Sequence, residues 1–163
     1  VQILNSPIEV GVRSLVVLNT IYPQALDLTR LTLMDYCLVH SSDLGGPDSV
    51  FPEVPSRSGE FGVKRSVLSL GLQLMMRADM VDMLTTDEGL VYRAGEEAAP
   101  FLQLLRSDHV ASLVRVAEWV VDEFGHLSQD QIRERMTETT SRWQWEIESP
   151  LDPFDSAPAG EGR

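Results

Sequence analysis

The sequence predicts a mainly α-helical protein with a small β-hairpin wing: a winged helix-turn-helix-like core with added C-terminal helices. Three observations predict it. Apolar residues recur at helical spacing along most of the chain, with Ser, Asp and Pro where helices would begin. Residues 59–78 read as one long helix followed at once by a ribbon, residues 80–85 and 90–94, closed by Thr86-Asp87-Glu88-Gly89. A helix running directly into a hairpin is the outline of a recognition helix and its wing.

Taken in order, Ser6-Pro7-Ile8-Glu9 combines a Ser cap, Pro at the first helical position and Glu three residues after the cap. That helix should stop before Pro23. Ile8, Val12, Leu15 and Tyr22 fall on one face, and Val10, Val17 and Ile21 line the other. A helix apolar on two sides is central in a core or carries an interface, which makes Val10, Val17 and Ile21 candidate partner contacts. Asp27 caps a second helix over residues 28–39, with Leu28, Leu31, Met34 and Leu38 in register.

The connection over residues 40–56 contains Gly45, Gly46, Pro47, Pro52 and Pro55 and far exceeds the turn of about four residues in a helix-turn-helix. Its apolar residues Leu44, Val50 and Phe51 predict an ordered excursion packed on the helices, with Phe51 covered. The long helix that follows is apolar around most of its circumference, which predicts a place in the middle of the fold.

After the ribbon, Gly95 opens a short helix over residues 96–106, with Pro100 in its first turn. Ser107 caps residues 108–124, and Gly125 ends them. Ser128 and Gln131 form a capping box that opens a last helix to about residue 148, with Ile132, Met136, Trp143 and Ile147 inward. Residues 1–148 thus read as one domain, and the acidic, Pro/Gly-rich residues 149–163 as a disordered tail.

The totals bound the function. The single cysteine, Cys37, excludes an internal disulfide and fits a reducing cytoplasm. No signal-like segment opens the sequence and no uncharged apolar run is long enough for a bilayer, so a cytoplasmic protein without membrane spans is expected. A net charge of −12 weighs against broad nucleic-acid affinity. Cys37, His40 and Asp43 are too few and too irregularly spaced for a structural zinc site, and a buried or packing role suits them better than catalysis. Gly45-Gly46-Pro47 lacks the Gly-Lys-Ser/Thr ending of a phosphate loop. No catalytic, metal or cofactor-binding residue is predicted, and the protein reads as a non-enzyme.

Two features remain as candidate sites. Lys64, Arg65 and Arg77 lie in a stretch, residues 61–78, that holds no Asp or Glu, and Arg57 precedes it. They could touch phosphates or an acidic partner, or they could solvate the one polar stripe of a buried helix. Trp119 and Trp145 fall off the apolar faces of their helices, which makes them candidate partner anchors or rings covered by a neighbouring helix.

The order Val-Gly-Val-Arg at 10–13, Leu-Val-His-Ser at 38–41, Gly-Gly-Pro at 45–47, Pro-Ser-Arg-Ser-Gly-Glu at 55–60, Gly-Leu-Gln-Leu-Met at 71–75, Phe-Gly-His-Leu-Ser at 124–128 and Trp143 resembles the middle component of prokaryotic ABC three-component systems. The resemblance spans roughly residues 3–145. It implies a small winged-helix subunit working between an SMC-like ABC ATPase and an effector, in conflict systems related to Lamassu-type defence against phage and plasmids. It also implies an adaptor role, weak non-specific contact with DNA at most, and no catalytic residues to assign. The competing reading is a free-standing, dimeric winged-helix transcription regulator. The acidic hairpin tip, Thr86-Asp87-Glu88, argues against it, because such a tip repels phosphate.

Overall fold

Local signals set most of the helix ends. The structure, a computed structural model, describes residues 6–51, 60–105 and 107–139. Helix α1 (Pro7–Ile21) starts where Ser6 Oγ accepts from Glu9 N at 3.3 Å, and α2 (Leu28–Val39) where Asp27 accepts from Arg30 N at 2.7 Å. Then come α3 (Glu60–Arg77), the strands β1 (Val81–Thr86) and β2 (Gly89–Ala94), α4 (Ala98–Leu104), α5 (Asp108–Phe124) and α6 (Gln129–Thr139). Ser107 Oγ accepts from Val110 N to start α5. At α6 the capping box is reciprocal: Ser128 N donates to Gln131 Oε1 at 2.9 Å, and Gln131 N donates to Ser128 Oγ at 3.2 Å. One expected length differs: α4 covers only Ala98–Leu104. Residues 140–163, with the expected end of α6 and the tail, lie outside the described residues.

The hairpin is antiparallel, from Val81 opposite Ala94 to Thr86 opposite Gly89, so only Asp87 and Glu88 form its tip. Gly89 sits at φ +123, a conformation that L side chains rarely adopt. Leu26, between α1 and α2, adds a one-residue bridge to the other edge of β2: Leu26 N donates to Tyr92 O at 2.9 Å and Tyr92 N to Leu26 O at 2.8 Å. That bridge ties the wing to the helical core instead of leaving an isolated two-stranded ribbon, which would be marginal on its own.

The middle of the fold is α1 and α2, not α3. Helix α1 packs against α2, α3, α4, α5 and β2. Every residue of α2 from Leu31 to Leu38 is buried, Thr32 and Asp35 included. The buried side chains form one cluster, from Val10 in α1 to Met136 in α6. Helix α3 buries one side only, through Leu68, Gly71, Leu72 and Met75, while Val63 is 67% and Leu70 50% exposed. The all-round apolar pattern of α3 thus reflects one buried face and one uncovered face.

Helices α1 and α3 touch backbone to backbone at a pair of glycines. A Cβ on Gly71 would lie 2.6 Å from Pro7 O and 2.7 Å from Gly11 N, and one on Gly11 would lie 2.9 Å from Gly71 O. Neither neighbour is a flexible side-chain end, so the helices would have to separate.

Residues 40–51 of the loop after α2 fold back as expected, and residues 52–56 lie outside the described residues. A 3₁₀ turn, Ser41–Leu44, leads to Gly45 at φ +79, and Ser41 Oγ donates to Pro47 O at 2.9 Å. Leu44 is 7% and Phe51 6% exposed. Among the described residues no helix is long and apolar enough to cross a membrane.

The glycine contact makes a direct prediction. Gly71→Ala is expected to destabilise the protein by about 1–3 kcal/mol, the usual cost of overpacking, whereas Ser66→Ala on the exposed face of α3 should stay within about 0.5 kcal/mol of wild type. Urea titration of both variants checks this, and an unchanged midpoint for Gly71→Ala would show that the helices can part without cost.

Candidate partner interface

The sequence offers Arg57, Lys64, Arg65 and Arg77 as one candidate cluster, and the structure disperses the three it describes. Arg57 lies outside the described residues. Lys64 is turned into the core: its side chain is 8% exposed, its ammonium lies 3.0 Å from Asp35 Oδ2, and it sits 4.9 Å from the centre of the Tyr36 ring. Arg65 donates to Thr29 Oγ1 at 2.8 Å and so bridges α3 to the start of α2. Arg77 is exposed in the last turn of α3, where a cation also complements the helix dipole. Among the described residues, Lys64, Arg65 and Arg77 do not form a continuous basic surface.

Lys64 belongs to a group that sequence spacing did not reveal. Arg13 of α1 donates from Nε to Asp35 Oδ1 and from Nη2 to Asp35 Oδ2, both at 2.8 Å, with each side chain 1% exposed. Burial would raise the Asp35 carboxyl, but the charges of Lys64 and Arg13 and their hydrogen bonds outweigh it and hold Asp35 well below the usual carboxylate range. Burial likewise works against the Arg13 charge, and Asp35, helped by Glu9, more than restores it. The Arg13 guanidinium also lies 5.1 Å from the centre of the Phe51 ring, which meets His109 edge-on at 5.9 Å. One carboxylate thereby joins α1, α2, α3, the long loop and α5.

The sequence candidates near this group have structural surroundings. Burial pushes the Cys37 thiol up, so no nucleophilic thiolate is available there. His40 stacks on Tyr36 at 5.3 Å and lies 3.8 Å from Asp43. Val10, Val17 and Ile21, expected as partner contacts, are 2%, 0% and 6% exposed and belong to the chain's own core. Trp119 is half-buried, edge-on to Phe124 at 5.8 Å and packed beneath Gly46, where an added Cβ would come within 2.7 Å of the ring. Gly46 of the loop after α2 lies against that ring. Trp145 lies outside the described residues.

Part of the open surface is apolar. Strand alternation puts Met83, Thr85, Leu90 and Tyr92 on one face of the hairpin, and Met83 and Leu90 are 51% and 48% exposed. Beside them a groove of about 490 Å³ runs between the hairpin and the start of α2, lined by apolar Leu28, Leu90, Val91 and Tyr92 and by charged Asp27, Arg65 and Glu88, with Thr29 and Gln129. Leu104, at the end of α4, is 77% exposed. Sequence reasoning missed the hairpin face because Met83 and Leu90 sit in a ribbon whose covered side is not evident from alternation alone.

A family model described as "ABC-three component (ABC-3C) system Middle Component 2" matches residues 3–146. No curated protein and no solved structure matches the chain.

The buried carboxylate can be tested by removing its charge. Asp35→Asn leaves two buried cations without their counter-charge and should cost about 3–5 kcal/mol, whereas Lys64→Met keeps the two-bond Arg13 pair and should stay within about 1 kcal/mol of wild type. Because folding depresses the Asp35 pKa, its stabilisation is complete above the unfolded carboxyl's value near pH 4 and is lost as pH falls through the folded one. Urea unfolding at several pH values should therefore show the gap between wild type and Asp35→Asn constant at neutral pH and shrinking in acid. A gap independent of pH would mean that Asp35 is held by packing and not by charge.

Proposed function

The chain belongs to the Middle Component 2 family of ABC-three component systems, and from that premise we propose that it is a non-enzymatic adaptor in a complex of an SMC-like ABC ATPase and an effector protein, acting against phage or plasmids in the cytoplasm. The observation that supports this reading is the division of surface. Lys64 is committed to Asp35 and Arg65 to Thr29, while Met83, Leu90 and Leu104 stand open. Exposed apolar side chains rimmed by polar ones suit protein partners. The hairpin face and its groove are the partner-binding surface in this reading. The buried Cys37 thiol and the stacked His40 ring agree with a protein that carries out no chemistry of its own.

The order α1, Leu26 bridge, α2, α3, hairpin supports a winged-helix reading. In a DNA reader of that kind, α3 would face the groove and the wing would touch phosphate. Here the exposed side of α3 carries Val63, Ser66, Leu70 and Gln73 with Arg77 at its end, and the tip carries Asp87 and Glu88. A transcription-regulator role therefore has little surface to work with.

Two measurements bear on this. Duplex DNA should bind weakly and without sequence preference in anisotropy titrations at moderate salt; sequence-specific binding tighter than about 10⁻⁸ M, the range of specific regulators, would favour the regulator instead. Co-expressed with the products of its neighbouring genes, the tagged chain should retain the ATPase, and Met83→Asp with Leu90→Asp should weaken that retention about tenfold or more, as expected for apolar contacts at an interface centre, with the circular dichroism spectrum unchanged. Failure of the unaltered chain to retain either neighbour would defeat the adaptor reading.

A further inference from the structure

Helix α3 carries an uncovered stripe whose spacing is symmetric about its own midpoint. Its 18 residues make a rod of about 27 Å. Val63 and Leu70 are 67% and 50% exposed, and Val67 and Leu74 beside them are partly buried, Val67 against the core. The steps 63, 67, 70, 74 alternate four and three residues, the 3.5-residue repeat of a two-helix seam. One step further in each direction, the same repeat reaches the two ends of the helix, Glu60 and Arg77.

We propose that two copies of this protein pair through α3, the helices antiparallel about a twofold axis between residues 68 and 69. In that arrangement Val63 of one copy meets Leu74 of the other, Val67 meets Leu70, and the position of Glu60 faces that of Arg77. The three pairs follow from one dyad, which is what a closed, isologous contact between identical chains requires. Parallel pairing would instead set Glu60 on Glu60 and Arg77 on Arg77. The open flank of the stripe carries Ser66 and Gln73, both neutral, and residues 61–78 hold no acid. Two chains of charge −12 can therefore approach along this face without bringing their carboxylates together. A seam this short falls in the class of small interfaces, below about 1,200 Å², so the dimer dissociates in the micromolar range. The pairing leaves the hairpin face free and does not depend on what binds there.

Sedimentation equilibrium of the full chain across the micromolar range tests the proposal. Wild type should show a reversible monomer–dimer equilibrium. Leu70→Asp should raise the dissociation constant at least about tenfold, with unchanged circular dichroism and melting, because its side chain is half exposed in the monomer. A charge-reversal cycle reads the register: Arg77→Glu alone weakens the dimer, Glu60→Arg alone weakens it, and the double reversal restores it. A wild type that stays monomeric through the range overturns the proposal, as does a dimer indifferent to Leu70→Asp. A double reversal that fails to restore pairing overturns the antiparallel register. Retention of the ATPase is scored separately with Leu70→Asp, so loss of pairing and loss of partner binding are told apart.

Discussion

The interaction on which the rest of this structure depends is the buried carboxylate of Asp35. It sits in α2 among Leu31, Leu33, Met34, Tyr36 and Leu38, all buried, where an unpaired charge would be prohibitive. Arg13 answers it from α1 with two hydrogen bonds at 2.8 Å, and Lys64 answers it from α3 at 3.0 Å. Each cation then lies against an aromatic ring, Phe51 or Tyr36, which covers its charge with polarisable surface instead of water. A buried ion pair is a weak source of net stability, because desolvation offsets much of the attraction. Its geometric demand is strict, however. Three helices and the long loop must take the one relative placement in which the oxygens and the donors meet.

Much of the fold was legible because it is coded locally. Ser6, Asp27, Ser107 and Ser128 each cap the helix that the sequence assigns to them, and the Ser128–Gln131 box is reciprocal. These signals act within three residues, the range over which a side chain reaches its own helix's first free N–H groups. Phe51 is buried as the apolar content of its loop requires, since a bulky ring gains too much from cover to stay in water.

What stayed hidden is coded at long range. Arg13 and Asp35 are 22 positions apart, and no periodicity relates them. Lys64 stands next to Arg65 in a stretch without acids and therefore looked like surface. Its long aliphatic stem allows it to enter the core when a carboxylate waits there. The same limit misplaced α3. An apolar circumference shows that a helix avoids water on many sides, but not which sides this chain covers itself. The glycines decided that: Gly11 and Gly71 let α1 and α3 meet on one side, and the other side was left bare.

Core chemistry and open surface are thus coupled through the rotation of one helix. Lys64 and Gly71 are seven residues apart, two turns, and so lie on the same side of α3. Lys64 must point inward to reach Asp35, and Gly71 must point inward because nothing larger fits against Gly11. With those two positions held, α3 cannot turn about its axis. At 100° per residue, Val63 and Leu70 then lie about 100° from the Lys64–Gly71 side, past the reach of α1 and α2. Their exposure is a consequence of the buried charge and the glycine contact, not an accident of an imperfect core. With α3 held in this rotation, Leu68, Leu72 and Met75 are buried and Val63 and Leu70 stand out along the helix.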